Sequence, residues 1–411
     1  MRPRSARWNL LFVLLLSAVI AEAPGRAVRL SAAPAWKIGS GLPSKEFSRL
    51  IQDFSEPGGY FRSDNFTSNE TSYLTVVDKL HDLRVSGGAY IGVGPEQNFT
   101  YIAKIRPAIA FIVDIRRQEI IQHLLYKAIF HEAPTRVEFL SGLLSRPIAN
   151  EKIRHADSIS DMVEYFAGAA APEDVFADNL ERVRKIIEQN FRFPLDRNDQ
   201  ARLEYVYGSF RRAGLAISYR VGNSYGFYPP QYRSRLPRVP FGSNSPFLYG
   251  GFPTLGDLVL QTDPNGHLGN FLASDDDYKF VRHLQEKNRI IPIVGDFAGT
   301  KAFSSIGAYL TRNGYRVSAF YTSNVEQFLF QNGVYETFVA NVRKLPIDGT
   351  SVFIRAVPRM GGVLVHPTIQ PGQRTTTILE KMSIFLSDEE SEPYRNYWDM
   401  VTTHYIAGGE R

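Results

Sequence analysis

Two glycines and a later carboxylate are the first residues whose types and spacing could do chemistry. An apolar run over residues 89–91 stops at Gly92 and Gly94, and a second apolar run ends on Asp114. Glycines in such a turn let the backbone approach a ligand closely, and an acid about 20 residues later can accept hydrogen bonds from ribose hydroxyls. The pattern predicts a site for a nucleotide-like ligand. The same residues could also simply build a strand–helix–strand packing unit.

Polar residues end two further apolar runs in the C-terminal part of the chain. One run ends at Asp296, and the next ends in the segment Tyr321, Thr322, Ser323 and Asn324. Because the carboxyl ends of neighbouring parallel strands face one crevice, we expect these ends to lie beside the glycine turn and Asp114. Strands also end in polar residues because they end at the surface, so packing alone is the alternative explanation.

The elements that must position these residues alternate between strands and helices. Short apolar runs typical of buried strands alternate with amphipathic helical patterns on either side of a long interruption. This alternation predicts an α/β fold of the Rossmann-like, doubly wound type, with a mostly parallel sheet and helices on both faces. A large helical and irregular insertion separates the second and third strands. We also expect tail strands over residues 363–367 and 375–385.

The predicted organisation has four segments. They are a signal peptide or N-terminal anchor (1–27), a first half of the Rossmann-like domain with an N-terminal helix and loop (28–146), an insertion or cap region (147–280), and a second half with a C-terminal hairpin and helix (281–411). Within the insertion, residues 219–252 are rich in Pro, Gly, Tyr and Arg. Such a tract can contact nucleic acid or an anionic ligand. We favour an irregular cap whose aromatic rings pack on the domain beneath.

The N-terminus carries the pattern of an export signal. Arg2, Arg4 and Arg7 precede an apolar run over residues 10–21, and small residues suitable for cleavage follow. A run of this length is too short to span a bilayer comfortably. We therefore expect an exported protein, periplasmic or membrane-anchored, that meets the membrane only through this segment. Without a functional signal the protein would be cytoplasmic.

Composition excludes several classes of function. A net charge of +5, spread over 47 basic and 42 acidic residues, gives little reason to expect a nucleic-acid partner, and we expect a small-molecule ligand instead. The absence of cysteine excludes disulfides and thiolate chemistry. The eight histidines show no paired spacing suitable for zinc, and no Gly-x-Ser-x-Gly elbow is present. Hydrolase and metalloenzyme interpretations have no positive support, and we expect no metal site.

The order of these motifs resembles the class I S-adenosylmethionine-dependent methyltransferases. The shared features are a glycine turn, a strand-end acid, a Gly-Asp pair after a third strand and an Asn-bearing end of a fourth strand. The resemblance implies S-adenosylmethionine as cofactor and one role for each strand end: Gly92 and Gly94 approach the methionine part, Asp114 holds the ribose hydroxyls, Asp296 contacts the adenine amino group, and Tyr321 and Asn324 face the transferred methyl group.

The chain departs from that family in two places. Glu96 stands where a third glycine is usual, and about 175 residues separate the second and third strands. The whole chain also resembles a bacterial protein group without an established activity, which shares the blocks GGYFRSDN, YIGVGPEQNF, GDFAG and FYTSNVEQ.

The resulting hypothesis is a methyltransferase-like enzyme. Asn324 would orient the acceptor, Tyr321 would line or polarise the site, and Glu326 or Glu70 would serve as base. Asn98, just after the glycine turn, joins the candidate ligand-binding residues. The alternative is an exported, non-catalytic ligand-binding protein with the same fold. A dinucleotide-dependent oxidoreductase is disfavoured, since position 97 is Gln where its fingerprint needs a glycine.

Overall fold

The structure, a computed structural model, describes residues 41–220, 252–359, 365–370 and 373–409. Within these ranges the chain from Gly41 onward forms one compact unit. The predicted export signal and residues 221–251 of the predicted cap lie outside the described residues. In the described part of the chain, no helix is both long enough and apolar enough to cross a membrane.

A seven-stranded sheet forms the centre of the fold and confirms the predicted α/β, Rossmann-like architecture. Its strands are β1 (Ala89–Gly92), β2 (Ile109–Asp114), β3 (Ile290–Val294), β4 (Val317–Ser323), β5 (Val352–Pro358), β6 (Thr375–Lys381) and β7 (Ile406–Ala407). They lie in the order β3-β2-β1-β4-β5-β6-β7. Strands β1 to β5 are parallel, whereas β6 is antiparallel to β5 and β7 to β6. Every residue of β1, β2 and β3 is buried, as expected for a sheet covered on both faces.

Sixteen α-helices are present in the described residues. They are α1 (Ser44–Phe54), α2 (Val77–Asp82), α3 (Gln97–Ile105), α4 (Arg117–Glu132), α5 (Arg136–Leu144), α6 (Glu151–Arg154), α7 (Ile159–Gly168), α8 (Glu173–Lys185), α9 (Arg197–Ala213), α10 (Leu255–Val259), α11 (Asp275–Glu286), α12 (Ala302–Arg312), α13 (Val325–Gln331), α14 (Tyr335–Val342), α15 (Met382–Ser391) and α16 (Tyr397–Thr402). A π-helical turn, Ile186–Asn190, extends α8, and a 3₁₀ turn, Gly214–Ala216, follows α9.

Helices α1 and α5 show how local sequence determines helix packing and helix starts. In α1, apolar residues at helical spacing, among them Phe47, Leu50 and Ile51, are buried against the sheet side of the fold. At the start of α5, Thr135 Oγ1 accepts a hydrogen bond from the backbone N–H of Glu138, whose carboxylate accepts one from the backbone N–H of Thr135. This capping box satisfies two backbone donors that the helix itself leaves unpaired.

The insertion packs into the fold instead of forming a separate body. Helix α4, for which the sequence predicts an amphipathic pattern over residues 116–130, is buried on nearly all sides. Helix α9 of the insertion lies along it: the rings of Tyr126 and Phe210 are 6.0 Å apart, and Arg117 pairs with Asp199 at 2.7 Å. The face of α4 that would otherwise meet solvent is therefore covered by the insertion.

Three elements differ from the sequence predictions. The sequence predicts one helix from the end of β4 through residue 340. That helix is interrupted at Asn332 and Gly333, where Gly333 has a φ of 67°, and this break gives α13 and α14. The strand predicted over residues 375–385 ends at Lys381, where α15 begins. The strand predicted over residues 363–367 lies partly outside the described residues, and residues 365–367 are not in a strand.

The turn-forming residues 263–266 predict a hairpin over residues 258–272, which is only partly present. Helix α10 occupies its start, and a single antiparallel bridge joins Thr262 to Leu268. Asp263 accepts hydrogen bonds from the backbone N–H groups of Asn265 and His267, so its carboxylate organises the turn.

Strand β3 lies at one edge of the sheet, and its outer side is partly occupied. Pro292 has no N–H to offer. The N–H of Val294, two residues later and therefore on the same side, donates to Ser55 Oγ at 3.0 Å. The carbonyl of Val294 accepts from the N–H of Glu56 at 2.9 Å. The segment after α1 thus closes part of this edge.

Candidate functional site

An open cleft lies at the carboxyl ends of β1, β2, β3 and β4, where the sequence predicts a ligand site. It contains about 1060 Å³ of empty space, counting the part open to solvent. Five residues predicted for the site line this one cleft: Gly94, Asp114, Asp296, Tyr321 and Asn324.

The glycine turn brings bare backbone to the cleft. Gly94 has a φ of 77°, which only glycine adopts without strain, and a Cβ added there would meet no protein atom within 4 Å. The backbone at Gly94 is therefore open to an approaching ligand. Gly92 has a different role, because a Cβ there would lie 2.0 Å from Asn98 Oδ1 and 2.7 Å from the Tyr90 ring. Close packing inside the turn therefore requires a glycine at position 92.

Asn98 holds the glycine turn and does not line the cleft. Its Nδ2 donates to the carbonyls of Val93, Gly94 and Pro95 at 3.0, 2.9 and 2.8 Å, and its Oδ1 accepts from the Tyr90 hydroxyl at 2.9 Å. Asn98 is 0% exposed, so its amide is not accessible to a ligand in the cleft. The expected direct ligand contact is thus replaced by a positioning role.

Asp114 lies at the end of β2 and is tied to Arg116. Its Oδ1 accepts from the backbone N–H and the Nε of Arg116 at 2.9 and 3.0 Å, and its Oδ2 accepts from Nη2 at 2.9 Å. Arg116 also lines the cleft and donates to Glu119 Oε2 at 2.7 Å. A carboxylate offers about four lone-pair positions, so the chain uses most of the capacity of Asp114. One position on Oδ2 remains for a ligand hydroxyl.

Asp296 is held differently at the end of β3. Its Oδ1 accepts from the N–H of Ala298 at 2.9 Å, and its own N–H donates to Glu56 Oε2 at 3.0 Å. Glu56 also accepts from the N–H groups of Lys301 and Ala302 at the start of α12. Oδ2 of the half-buried Asp296 has no hydrogen-bond partner among the described residues, and it can accept from a ligand.

The end of β4 carries a buried hydrogen-bond cluster centred on Glu70. Glu70 Oε1 accepts from the Tyr321 hydroxyl at 2.6 Å and from Ser323 Oγ at 2.5 Å, while Oε2 accepts from Gln97 Nε2 at 2.8 Å. Burial raises the pKa of the Glu70 carboxyl above its ordinary value, and the hydrogen bonds from Ser323, Tyr321 and Gln97 offset part of that rise. A carboxyl of this kind can exchange a proton nearer neutral pH than an exposed glutamate.

Tyr321 serves as a donor in this cluster. Burial, and secondly the nearby Glu70, raise the pKa of its hydroxyl well above the ordinary value, so the phenol stays protonated. Its ring lies 5.1 Å from that of Tyr101. Asn324, the N-cap of α13, lies at the same end of the cleft, and its Nδ2 donates to Gln327 Oε1 at 3.3 Å.

The structure does not bring Glu326 to the cleft. Glu326 is 0% exposed, and its Oε1 accepts from Arg355 Nε at 2.9 Å. Its position on α13 directs the side chain toward β5, where Arg355 lies, and away from the strand ends. Of the two bases considered from the sequence, Glu70 lines the cleft and Glu326 does not.

Glu96 lies beneath the glycine turn and does not line the cleft. It is 6% exposed, its Oε1 accepts from the N–H of Ser68 at 3.2 Å, and its Oε2 has no partner within the described residues. Burial raises the pKa of this carboxyl to about 7. The departure from the usual third glycine therefore places a buried acid under the turn, not a charge in the path of the ligand.

The loop between α1 and α2 supplies five cleft-lining residues that the sequence did not identify, together with Glu70, which the sequence offers as a base. Residues of this loop that line the cleft are Tyr60, Phe61, Asn65, Ser68, Asn69 and Glu70. The density of Gly, Ser, Asn and aromatic residues was its only signal, and connecting loops share that composition. From the predicted cap, Tyr219 also lines the cleft, and Arg220 Nε donates to Ser63 Oγ at 3.3 Å.

Two aspartates in the first turn of α11 pair with cations. Asp275, at the start of α11, binds Arg136 at 2.6 Å, and Asp277 binds Lys104 at 2.6 Å and Arg106 at 3.2 Å. No group of three or more His, Asp or Glu side chains in the described ranges is arranged to hold a metal ion.

One family model matches the chain over residues 65–203 and 252–409, and its description is "Domain of unknown function (DUF7790)". The two matched segments contain all seven strands and most of the cleft-lining residues. They leave out residues 204–251, which include most of the Pro-, Gly-, Tyr- and Arg-rich tract at residues 219–252. None of the curated proteins compared with the chain matches it.

Proposed function

The chain belongs to the family of the domain of unknown function DUF7790, and we propose that it binds S-adenosylmethionine, or a closely related nucleoside, in the strand-end cleft and transfers the methyl group to an acceptor. The observation that carries the proposal is that Gly94, Asp114, Asp296, Tyr321 and Asn324, from four separate strand ends, line one cleft. Ligands of open α/β sheets bind outside the carboxyl ends of the strands.

The ligand would lie across the ends of β1, β2 and β3. Open backbone at Gly94 suits the methionine part, the remaining position on Asp114 Oδ2 suits a ribose hydroxyl, and Asp296 Oδ2 suits the adenine amino group. These assignments follow the roles implied by the resemblance to class I methyltransferases.

The charge of the cleft favours a ligand with a positive centre. Among the described lining residues, Glu70, Asp114 and Asp296 carry carboxylates, and Arg116 is the one with a cationic side chain. Aromatic rings of Tyr60 and Tyr321 line the same space. A sulfonium is stabilised both by nearby carboxylates and by the faces of aromatic rings.

Methyl transfer would take place at the end of β4. The reaction needs an acceptor held in line with the sulfonium and a group that takes the acceptor's proton. Asn324 would orient the acceptor. Glu70 would take the proton through the hydroxyls of Tyr321 and Ser323, which both donate to its Oε1.

One observation favours a second candidate, an exported binding protein without catalysis. The Glu70 cluster and the pair of Asp114 with Arg116 are hydrogen-bonded within the chain, and such a rigid polar wall suits recognition without proton transfer. Incubation of the purified protein with S-adenosylmethionine and small hydroxy and amino compounds distinguishes the two. Formation of the demethylated nucleoside supports the enzyme, whereas recovery of intact S-adenosylmethionine supports the binding protein.

Isothermal titration calorimetry tests the ligand itself. We expect S-adenosylmethionine and its demethylated product to bind, and Asp296→Asn to weaken binding by about tenfold, since one hydrogen bond to a charged group contributes about 1.5 kcal/mol. Asp276→Asn, an exposed aspartate on α11, is the matched control and should bind as the unmodified chain does. No binding of either ligand at millimolar concentration would refute the proposal. Binding that Asp296→Asn leaves unchanged would refute the placement of the adenine.

A further inference from the structure

Ser323 lies at the turn between β4 and α13 in an unusual backbone conformation. Its φ is 54°, in the left-handed region that costs a residue with a Cβ about 1–2 kcal/mol. The pairing of β4 with β5 also shifts in register between Tyr321 and Ser323. Such irregularities redirect side chains and are frequent beside active sites. Here Ser323 is half-buried and lines the cleft.

The hydroxyl of Ser323 is already bonded to a carboxylate. Ser323 Oγ donates to Glu70 Oε1 at 2.5 Å, and Glu70 is 2% exposed. Gln97 Nε2 holds the other carboxylate oxygen at 2.8 Å, and Ser68 Oγ in turn donates to Gln97 Oε1. The carboxylate therefore has a fixed orientation toward the hydroxyl, which is the geometry that a general base and a nucleophile require.

We propose that Ser323 is an activated nucleophile that attacks acyl groups bound in the cleft, with Glu70 as its general base. The inference goes beyond the methyl transfer proposed above, because it needs no nucleoside. It also differs from the expectation drawn from the sequence, where the absence of a Gly-x-Ser-x-Gly elbow left no support for a hydrolase. Ser323 nevertheless lies at a strand–turn–helix junction, between β4 and α13, which is where the serine of such an elbow lies.

The reaction balances with the groups present and a water molecule. Ser323 Oγ forms a bond to the carbonyl carbon of an ester while its proton passes to Glu70. The bond from that carbon to the alcohol oxygen breaks, and the proton held by Glu70 passes to the leaving alcohol. Water then attacks the acyl-serine, transfers a proton through Glu70 to Ser323 Oγ, and releases the carboxylic acid.

The walls of the cleft indicate the class of ester. Phe61, Phe328, Leu329 and Val334 line the cleft with apolar surface. Asn69 lines it as well and carries an amide that can donate to a carbonyl oxygen. A neutral ester with a short apolar acyl group fits these surroundings. A substrate with a carboxylate beside the ester would meet Glu70 at close range.

A fluorophosphonate probe tests the nucleophile directly. Diisopropyl fluorophosphate would react by forming a bond from Ser323 Oγ to phosphorus with loss of fluoride, the serine proton passing to Glu70. We expect one adduct per chain in the intact mass spectrum, and peptide mapping should place it on Ser323. Ser323→Ala should abolish this adduct. Ser383→Ala, which alters an exposed serine on α15, should retain it.

The variant Glu70→Gln distinguishes the loss of proton transfer from the loss of the folded structure. Glu70→Gln keeps an acceptor for the Ser323 and Tyr321 hydroxyls but cannot take a proton, so labelling should slow by about 100-fold or more. Circular dichroism and the melting temperature establish that each variant is folded. An unlabelled Ser323 in the folded unmodified protein, an adduct on a different residue, or equal rates in Glu70→Gln would overturn the proposal. Because the probe needs no nucleoside, this result is independent of the calorimetry.

Discussion

At the scale of single residues, the two strand-end aspartates differ in how far the chain itself uses their carboxylates. Asp114 is almost fully buried and accepts three hydrogen bonds from Arg116. Asp296 is half-buried and accepts one, from a backbone N–H two residues away. Asp114 therefore mainly stabilises the fold at the end of β2. Asp296, after β3, keeps a carboxylate oxygen available to a ligand.

Substitution by asparagine should separate these tasks. In Asp114→Asn the side-chain NH₂ would face Arg116 Nη2, donor against donor, and we expect the free energy of unfolding to fall by about 2 kcal/mol. In Asp296→Asn the oxygen can still accept from Ala298, so the change should stay within about 0.5 kcal/mol. Urea unfolding followed by tryptophan fluorescence measures both. Equal stabilities would show that the pair with Arg116 contributes nothing.

At the scale of elements, a buried arginine joins the parallel and antiparallel parts of the fold. Arg355 of β5 is 1% exposed and pairs with Glu326 of α13 and with Glu380 of β6. Its guanidinium also lies 4.3 Å from the centre of the Phe353 ring. One cation thus compensates two carboxylates that the sheet has removed from water.

Removal of that cation should be costly. Arg355→Met would leave Glu326 and Glu380 buried without a cationic partner, and breaking such a pair typically destabilises by about 3–5 kcal/mol. Arg395→Met is the control, since Arg395 and its partner Glu392 are exposed and such pairs contribute about 0–1 kcal/mol. Thermal and urea unfolding of both variants measures the difference. A loss below about 1 kcal/mol in Arg355→Met would contradict this account.

The ends of elements were predictable where local sequence decides them. Apolar runs that stop at Gly92, Asp114 and Asp296 identify strand ends, because a buried parallel strand must end where polar residues begin. Glu326 was misplaced because its direction depends on Arg355, which pairs with it across the fold. Glu70 could be named only as an alternative base, since it reaches Tyr321 from a loop 251 residues away in the chain.

At the scale of the whole molecule, the fold class was predictable and the integration of the insertion was not. Strand–helix alternation indicates a doubly wound sheet from periodicity alone. Burial of α4 depends on α9, through contacts such as that of Arg117 with Asp199, 82 residues apart. Polar residues on α4 look like a solvent-facing side in the sequence. Three of them, Glu119, His123 and Lys127, are nevertheless buried. Glu119 binds Arg116, His123 Nε2 lies 2.9 Å from the carbonyl oxygen of Gly94, and Lys127 lies against the rings of Phe47 and Phe191.

Buried ionisable groups should make the free energy of unfolding depend on pH, and Glu96, beneath the glycine turn, gives the clearest expectation. Its pKa is about 7 in the folded chain and about 4.5 when unfolded, so the folded state binds the proton more tightly. Its contribution is fully present below pH 4.5 and is lost as pH rises through 7. His123 acts in the opposite sense at lower pH, because burial lowers its pKa to about 4.

The variant Glu96→Gln isolates this contribution. The difference in free energy of unfolding between the unmodified chain and Glu96→Gln should decrease by about 3 kcal/mol between pH 4.5 and pH 8, at about 1.36 kcal/mol per pKa unit. Urea unfolding at intervals of half a pH unit measures it, and the variant cancels the contribution of His123, which both chains share. A difference that stays constant over this interval would show that Glu96 titrates normally.

Pro292 and Ser55, at the edge of the sheet formed by β3, affect whether copies of this protein associate through their sheets in concentrated solution. A foreign strand docking beside β3 would find no amide hydrogen at Pro292 and one already taken by Ser55 at Val294. The opposite margin, β7, is only two residues long. Cross-molecule sheet extension, fibril growth included, is therefore discouraged at both edges of the sheet in the described part of the chain. The polar strand ends, in contrast, open into the cleft, where other molecules can reach them.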